Sequence, residues 1–205
     1  MSNPVVANII KSGAVLWYAP VAEAQPSTLA PVYGAAWGGN WVRVGYTKAP
    51  LTAAYASTEA EIAVEEELAS VKRVRTAEAL TLETVLGELT AAYLKLAGGD
   101  QRTVTPVAAA AAQKAYEETG LGGIAEIAQY EWGFEGLFIT ATGNDEPIRF
   151  FVHKGTAMIS GALEFSQKTD DYTGVPIQIK ALSDTSKAAG LKLCQFYRFT
   201  AEATG

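Results

Sequence analysis

Three stretches of the chain, 41–46, 59–68 and 72–83, alternate side chains with a period of two, and this feature most restricts the fold. In WVRVGY, residues 41–46, Trp41, Arg43 and Gly45 take one parity and Val42, Val44 and Tyr46 the other. Ala60, Ile62, Val64 and Leu68 fall on even positions, with Glu59, Glu61, Glu65 and Glu67 on odd ones. From residue 72, Val74, Leu80 and Leu82 share one parity, and Arg73, Arg75, Thr81 and Glu83 the other. A period of two gives the two faces of a strand. Alanine and glutamate favour helices, but Ile62 and Val64, two apart, do not share a helical face. The pattern predicts a long hairpin over 59–76 with an acidic arm, a basic tip or return arm, and one dry face.

The same stretch sorts its charge. EIAVEEELASVKRVR, residues 61–75, runs from acids through a neutral step to bases. No Lys or Arg lies between Lys48 and Lys72, whereas five glutamates do, Glu59, Glu61, Glu65, Glu66 and Glu67. Like charges along one strand face are costly unless solvent or counter-charges meet them. Surface ion pairs inside one molecule contribute only about 0–1 kcal/mol each. Repeated between copies, the same charges set register and partner choice, and head-to-tail contacts of this kind close into rings or stack into tubes. Glu61, Glu65, Glu66, Glu67, Lys72, Arg73 and Arg75 are therefore expected at contacts between subunits.

The rest of the chain continues the β pattern. GAVLWYA, 13–19, reads as a strand, and the Pro- and Gly-rich 20–40 as loop. Leu82, Val85, Leu86, Leu89, Tyr93 and Leu96 fit a helical stripe, so a strand is expected to hand over to a helix near 87–90 that runs to about Ala97 and stops at Gly98-Gly99. TVTPVAAAAAQKAYEETG, 103–120, reads as a second short helix capped by Thr105, with Pro106 first and Gly120 at its end, or as a flexible insertion. Strands return from about residue 124, with a hairpin turn at 143–147, a loop at 168–174, and further strands at 175–184 and 191–200. The expected fold is mostly β with one or two helices: a β-sandwich or barrel with a flanking α-helix, in a single domain over 1–205.

Composition removes several function classes. The chain is 49% hydrophobic and 19% charged, enough to bury a core. A net charge of −6 argues against free-standing nucleic-acid binding. The one cysteine, Cys194, reads as a small buried hydrophobe, and the one histidine, His153, as a packed or surface residue of an alternating strand. A zinc site needs more Cys and His than this. Asp170-Asp171 lack calcium-loop spacing, and no glycine pattern makes a phosphate loop. Glu126, Glu131 and Glu135 with Trp132 and Trp37 form a weak carbohydrate-site pattern. Trp37 and Trp41 read better as pins for the glycine-rich loop. No catalytic, cofactor or metal residues are expected, no signal peptide and no membrane span are read, and synthesis in a cytoplasm is expected.

GYTKAPLTAAYASTEAEIAVEEELASVKRVRTAEALTLETVLGELT resembles the central segment of the tail tube (major tail) proteins of long-tailed bacteriophages: a Gly-Tyr-Thr turn, an acidic strand, a basic step, a Thr/Leu strand and a short helix. GALEFSQKTDDYTGVPIQIKALSD resembles that family's closing signature, and GAVLWYAP its N-terminal strand. Residues 103–123 depart from the pattern as an insertion or variable loop. The resemblance implies hexameric rings stacked into a virion tail tube, assembled around a tape-measure protein, bounded by tail terminator and tail tip proteins, and later passing DNA. It implies that the hairpin over 59–76 reaches the next subunit or ring. An acidic lumen lets phosphate slide, with Glu59, Glu61 and Glu83 as lining candidates. A tail terminator, a head decoration protein and, less favoured, a carbohydrate-binding module are the competing readings.

Overall fold

A computed structural model describes residues 13–28, 31–63, 65, 69–99, 104–123, 125–139, 145–163 and 174–199. The expected loop at 168–173, the hairpin turn at 143–144, and Val64, Glu66, Glu67 and Leu68 lie outside them. Among the described residues the order is β1 (Val15–Pro20), β2 (Val42–Arg43), β3 (Thr52–Ile62), β4 (Lys72–Leu86), α1 (Ala91–Ala97), β5 (Thr105–Val107), β6 (Tyr116–Glu118), β7 (Gln129–Ile139), β8 (Asp145–Ile159), β9 (Val175–Ala181) and β10 (Cys194–Arg198).

One antiparallel sheet runs β2-β1-β7-β8-β9-β4-β3, and β10 also pairs with β8. Long β8 organises it. β10 covers one edge of its first half, from Ile148↔Arg198 to Val152↔Cys194. β9 takes over that edge from Gly155↔Ala181 to Ile159↔Ile177. The sheet therefore splits at His153 and Lys154. Its two ends meet again through one continuous stretch of chain. Val44 N–H donates to Leu16 O (2.9 Å), Lys48 N–H to Val85 O (2.7 Å) and Gly87 N–H to Tyr46 O (2.6 Å). Residues 42–48 thus pass from the β1 edge to the β4 edge, so the sheet curls into a barrel-like sandwich.

This crossing explains why WVRVGY makes only a two-residue strand. Trp41 and Val44 are buried on different sides, while Val42 and Arg43 are exposed, so the predicted two-face alternation gives way to the bend.

Inside, Leu16, Trp132 and Val152 meet Leu80, Leu82, Leu86, Val175, Ile177 and Ile179 in one apolar cluster. Burial of such side chains contributes roughly 1.5–3 kcal/mol each. α1 closes the cluster with Leu96 and Ala97. Thr90 caps it, its hydroxyl accepting from Tyr93 N–H at 3.1 Å, and Gly98 N–H ends it on Leu94 O at 2.9 Å. Gly99 follows with φ +63°, where a Cβ would also run into Ala157 O; glycine satisfies both demands.

The second predicted helix is absent. Residues 105–118 form the small β5–β6 hairpin, with Val107↔Tyr116 and Thr105↔Glu118 paired. The alanine run supplies its turn: Ala110 and Gln113 exchange two backbone hydrogen bonds, and Ala111 sits at φ 47°. A short helix here would have no surface on which to bury a face, and propensity alone does not sustain one.

The outer face of the β1-β7-β8-β10 half carries a second apolar cluster of Trp17, Ala19, Trp37, Trp41 and Phe151. Trp37 stacks on Trp17 at 5.0 Å and meets Trp41 edge-on at 5.0 Å. The 20–40 loop is thereby pinned to the sheet, as its glycines and tryptophans predict.

Candidate assembly arm

β3 and β4 are paired from Thr52↔Glu83 to Ile62↔Lys72, but β9 supports β4 only from Thr81 to Leu86. Beyond that point the hairpin leaves the body. Every residue of β3, and β4 from Lys72 to Ala79, is exposed. Neither face of the arm is dry in the single chain, which corrects the expected apolar face of Ala60 and Ile62; among the described residues no layer extends far enough to cover it. The outer edge of β3 pairs with no strand among the described residues.

The register shows what the charge sorting does within one molecule. Glu59 stands opposite Arg75, and Glu61 opposite Arg73. Arg73 Nη2 lies 2.8 Å from Glu61 Oε1, with both side chains more than half exposed. Arg75 Nη1 donates to Glu78 Oε1 at 2.5 Å, and Tyr55 Oη donates to the same oxygen at 3.0 Å. The Arg75 hydrogen bond, then that of Tyr55, holds the Glu78 carboxyl below its ordinary pKa. Part of the counter-charge for the acidic strand is therefore its own return strand. Lys72 faces Ile62, and among the described residues Lys72 and Glu65 have no ion-pair partner.

A bulge divides the arm. Thr76 is left over between Arg75↔Glu59 and Ala77↔Thr58, and its hydroxyl donates to Thr58 O at 3.1 Å. Directly opposed residues share a face, so Glu59, Glu61, Arg73, Arg75 and Glu78 lie on the side that continues into Leu80 and Leu82. Glu83 lies on the other side, with Thr52 and Thr81, where Gln178 Nε2 donates to it at 2.5 Å. The three acids picked out for the lumen thus divide between two faces.

Sequence reading missed the polar groups beneath the 20–40 loop. Glu135 is fully buried and Arg149 nearly so, with Nε donating to Glu135 Oε1 at 2.8 Å. Gly34 N–H donates to the other carboxylate oxygen at 2.7 Å, and Arg149 Nη1 donates to Ser27 O at 2.8 Å. The pair ties two points of the loop to β7 and β8. The signal was present as an acid and a base on adjacent strands, but their register was not. Trp132 is fully buried, with Nε1 on Gly155 O. Trp132, Trp37, Glu131 and Glu135 are all buried and Glu126 alone of the carbohydrate-site pattern is exposed, so these residues do not share one accessible surface.

Glu131 and His153 are also buried, near the split in the sheet. Desolvation raises the Glu131 carboxyl to about 7, against the opposing pull of Lys187 and of the Ala22 N–H; Asp184 and Glu23 push it further up. Desolvation, then Lys187, lowers the His153 imidazole, with Asp184 acting the other way. The Glu131 pKa is higher folded than unfolded, so its contribution favours the native state at low pH and is lost as pH rises through about 7. His153 is depressed and opposes this trend below its ordinary value. We expect the melting temperature to rise between pH 8 and 6.5, and Glu131→Gln to flatten that rise while adding of order 2 kcal/mol at pH 8. Thermal melts at fixed ionic strength check this; an unchanged slope in the variant would contradict it. Cys194 is half-buried and free, its thiol pushed up by burial.

Among the described residues no helix is long and apolar enough to cross a membrane. No curated protein matches the chain. The family model described as phage tail tube protein matches residues 3–197, nearly the whole chain. That family is structural, its members assemble from many subunits, and its place is the virion tail. With a mostly antiparallel β fold, one flanking helix and a match across almost its full length, this chain belongs to the phage tail tube protein family.

Proposed function

We propose that the protein assembles into hexameric rings that stack into the tail tube, built around a tape-measure protein, bounded by terminator and tip proteins, and serving as the conduit for DNA during ejection. The chain is made in the host cytoplasm and acts in the virion. The observation that carries this reading is the uncovered β3–β4 arm. An eleven-residue edge strand with both faces in solvent is a template for pairing with another chain, and a subunit that polymerises supplies that chain. Glu61, Glu65, Glu66, Glu67, Lys72, Arg73 and Arg75 are assigned to contacts between subunits. Glu83, facing away from the core, is the leading acid for the lumen. Glu59 and Glu61 join it only where arms of neighbouring subunits cross.

Negative-stain microscopy of the concentrated protein tests the assembly, with rings or tubes expected. Reversing Lys72, Arg73 and Arg75 to Glu removes two exposed pairs, Arg73–Glu61 and Arg75–Glu78, and such solvent-screened pairs hold a fold together only weakly. The variant should therefore keep its fold by circular dichroism and lose its tubes. An unfolded variant would mean that these charges serve the fold, and a variant that polymerises normally would remove them from the interface.

A further inference from the structure

We propose that the β5–β6 hairpin is the receptor for the tip of the β3–β4 arm of a neighbouring copy. This rests on the tube reading above and names the surface that the arm engages.

The hairpin is poorly suited to stand alone. It has three-residue strands and, among the described residues, no third strand, whereas an isolated two-stranded ribbon is marginal in water. Between its strands and its turn it forms an open apolar groove of about 660 Å³, lined by Pro106, Val107, Ala108, Ala115, Tyr116 and Glu117. Tyr116 is half exposed there. The arm offers exposed apolar side chains to such a groove: Ile62, Val71 and Val74 lie at or next to its tip, all substantially exposed, with Ile62 and Val74 on one face, and Val71 N–H donates to Ile62 O at 2.9 Å.

The charges match in both directions. Among the described residues Lys72 and Glu65 at the tip, and Lys114, Glu117 and Glu118 on the hairpin, have no ion-pair partner. Seating the tip in the groove sets Lys72 against Glu117, which lines it, with Glu118 adding to the local negative potential from the other face, and Glu65 against Lys114. Charges of this kind at the rim of an apolar contact fix register and suppress wrong docking.

The occupant is a second copy. The hairpin is rooted where Ala128 N–H donates to Gly99 O (2.9 Å) and Gly99 abuts Ala157. Through Ala157↔Ile179 and Ile179↔Leu82, that root is level with Leu82 of β4. At the usual strand rise the tip at Lys72 lies about 33 Å further along. No hydrogen bond or ion pair joins hairpin and arm within the chain among the described residues. Each copy carries both halves on different parts of its surface, so the contact is heterologous and propagates along a polymer.

The test uses the full-length protein. Glu117→Lys with Glu118→Lys, and separately Lys72→Glu, should each raise the critical concentration for tubes at least tenfold. The triple variant should return to within about threefold of the parent. These side chains are exposed, so thermal melts should barely move. A mixture of Val71→Cys and Tyr116→Cys proteins, both carrying Cys194→Ser, should give a cross-linked dimer on oxidation of assembled tubes. Normal polymerisation of the Glu117/Glu118 variant, or tubes without the cross-link, overturns the docking and leaves the tube reading standing. So does a variant whose tubes are normal but whose outer surface has lost binding to another component. A parent protein that forms neither rings nor tubes overturns both.

Discussion

Arg149→Met should lower the unfolding free energy by about 3–5 kcal/mol, because it leaves the fully buried Glu135 carboxylate without its guanidinium partner. Gly34 N–H still donates to that carboxylate, but Ser27 O loses the guanidinium. The loss should appear first in the 20–40 loop, which the pair holds at both places. Urea unfolding followed by tryptophan fluorescence measures the total, and limited proteolysis within 20–40 measures the local part. Adding Glu135→Leu in the same chain replaces the ion pair with apolar side chains and should recover roughly 1–2 kcal/mol of the loss. Strictly additive single and double variants would show that the two groups are not coupled. The damage should persist at high salt, since a buried pair is poorly screened; the exposed Arg73–Glu61 pair differs in this respect.

Gly133→Ala should cost about 3 kcal/mol, at the upper end for one added methyl in a packed interior. The backbone at Gly133 is not left-handed, so the cost is steric. A Cβ there would overlap Cζ3 of Trp37 and come to 2.6 Å from its Cη2. Trp37 has no room to yield. It is stacked on Trp17, edge-on to Trp41, 5.2 Å from Phe151, and under the Arg149 guanidinium at 5.3 Å. In a Trp37→Leu background, itself destabilised by a cavity, adding Gly133→Ala should cost well under half as much. An equal cost in both backgrounds would place the strain in the β7 backbone. Near-ultraviolet circular dichroism should lose the signature of the stacked Trp17–Trp37 pair in Trp37→Leu and keep it in Gly133→Ala if the fold survives.

Both sites show where sequence reading stops. Gly133 inside an alternating strand signals close approach of something to the backbone, but nothing local says that Trp37, far away in the chain, is what approaches. Glu131 and Glu135 in β7 look like the solvent-facing acids of an ordinary alternating strand. They are buried because the 20–40 loop folds over that face, and loop paths are decided by long-range packing. The helix reading of 103–120 failed for the opposite reason: local helix propensity was strong, but propensity alone does not sustain a short helix, and the segment pairs as the β5–β6 hairpin instead.

What the sequence determined by itself was everything governed by neighbours along the chain. That covers the alternation over 59–68 and 72–83, the stop of α1 at Gly98-Gly99 and the charge sorting over 61–75, while the register Glu59↔Arg75 and Glu61↔Arg73 came from the strand pairing. Ordered motifs also placed the chain in its family, because they are local patterns in a fixed sequence. Only the tertiary structure decided that β8 would share one edge between β10 and β9, that residues 42–48 would join the two ends of the sheet, and that the arm would run past the last supporting strand into solvent. These depend on which distant segments meet. A pattern with a period of two states that a strand has two faces, and the pairing of remote strands settles what, if anything, covers each of them.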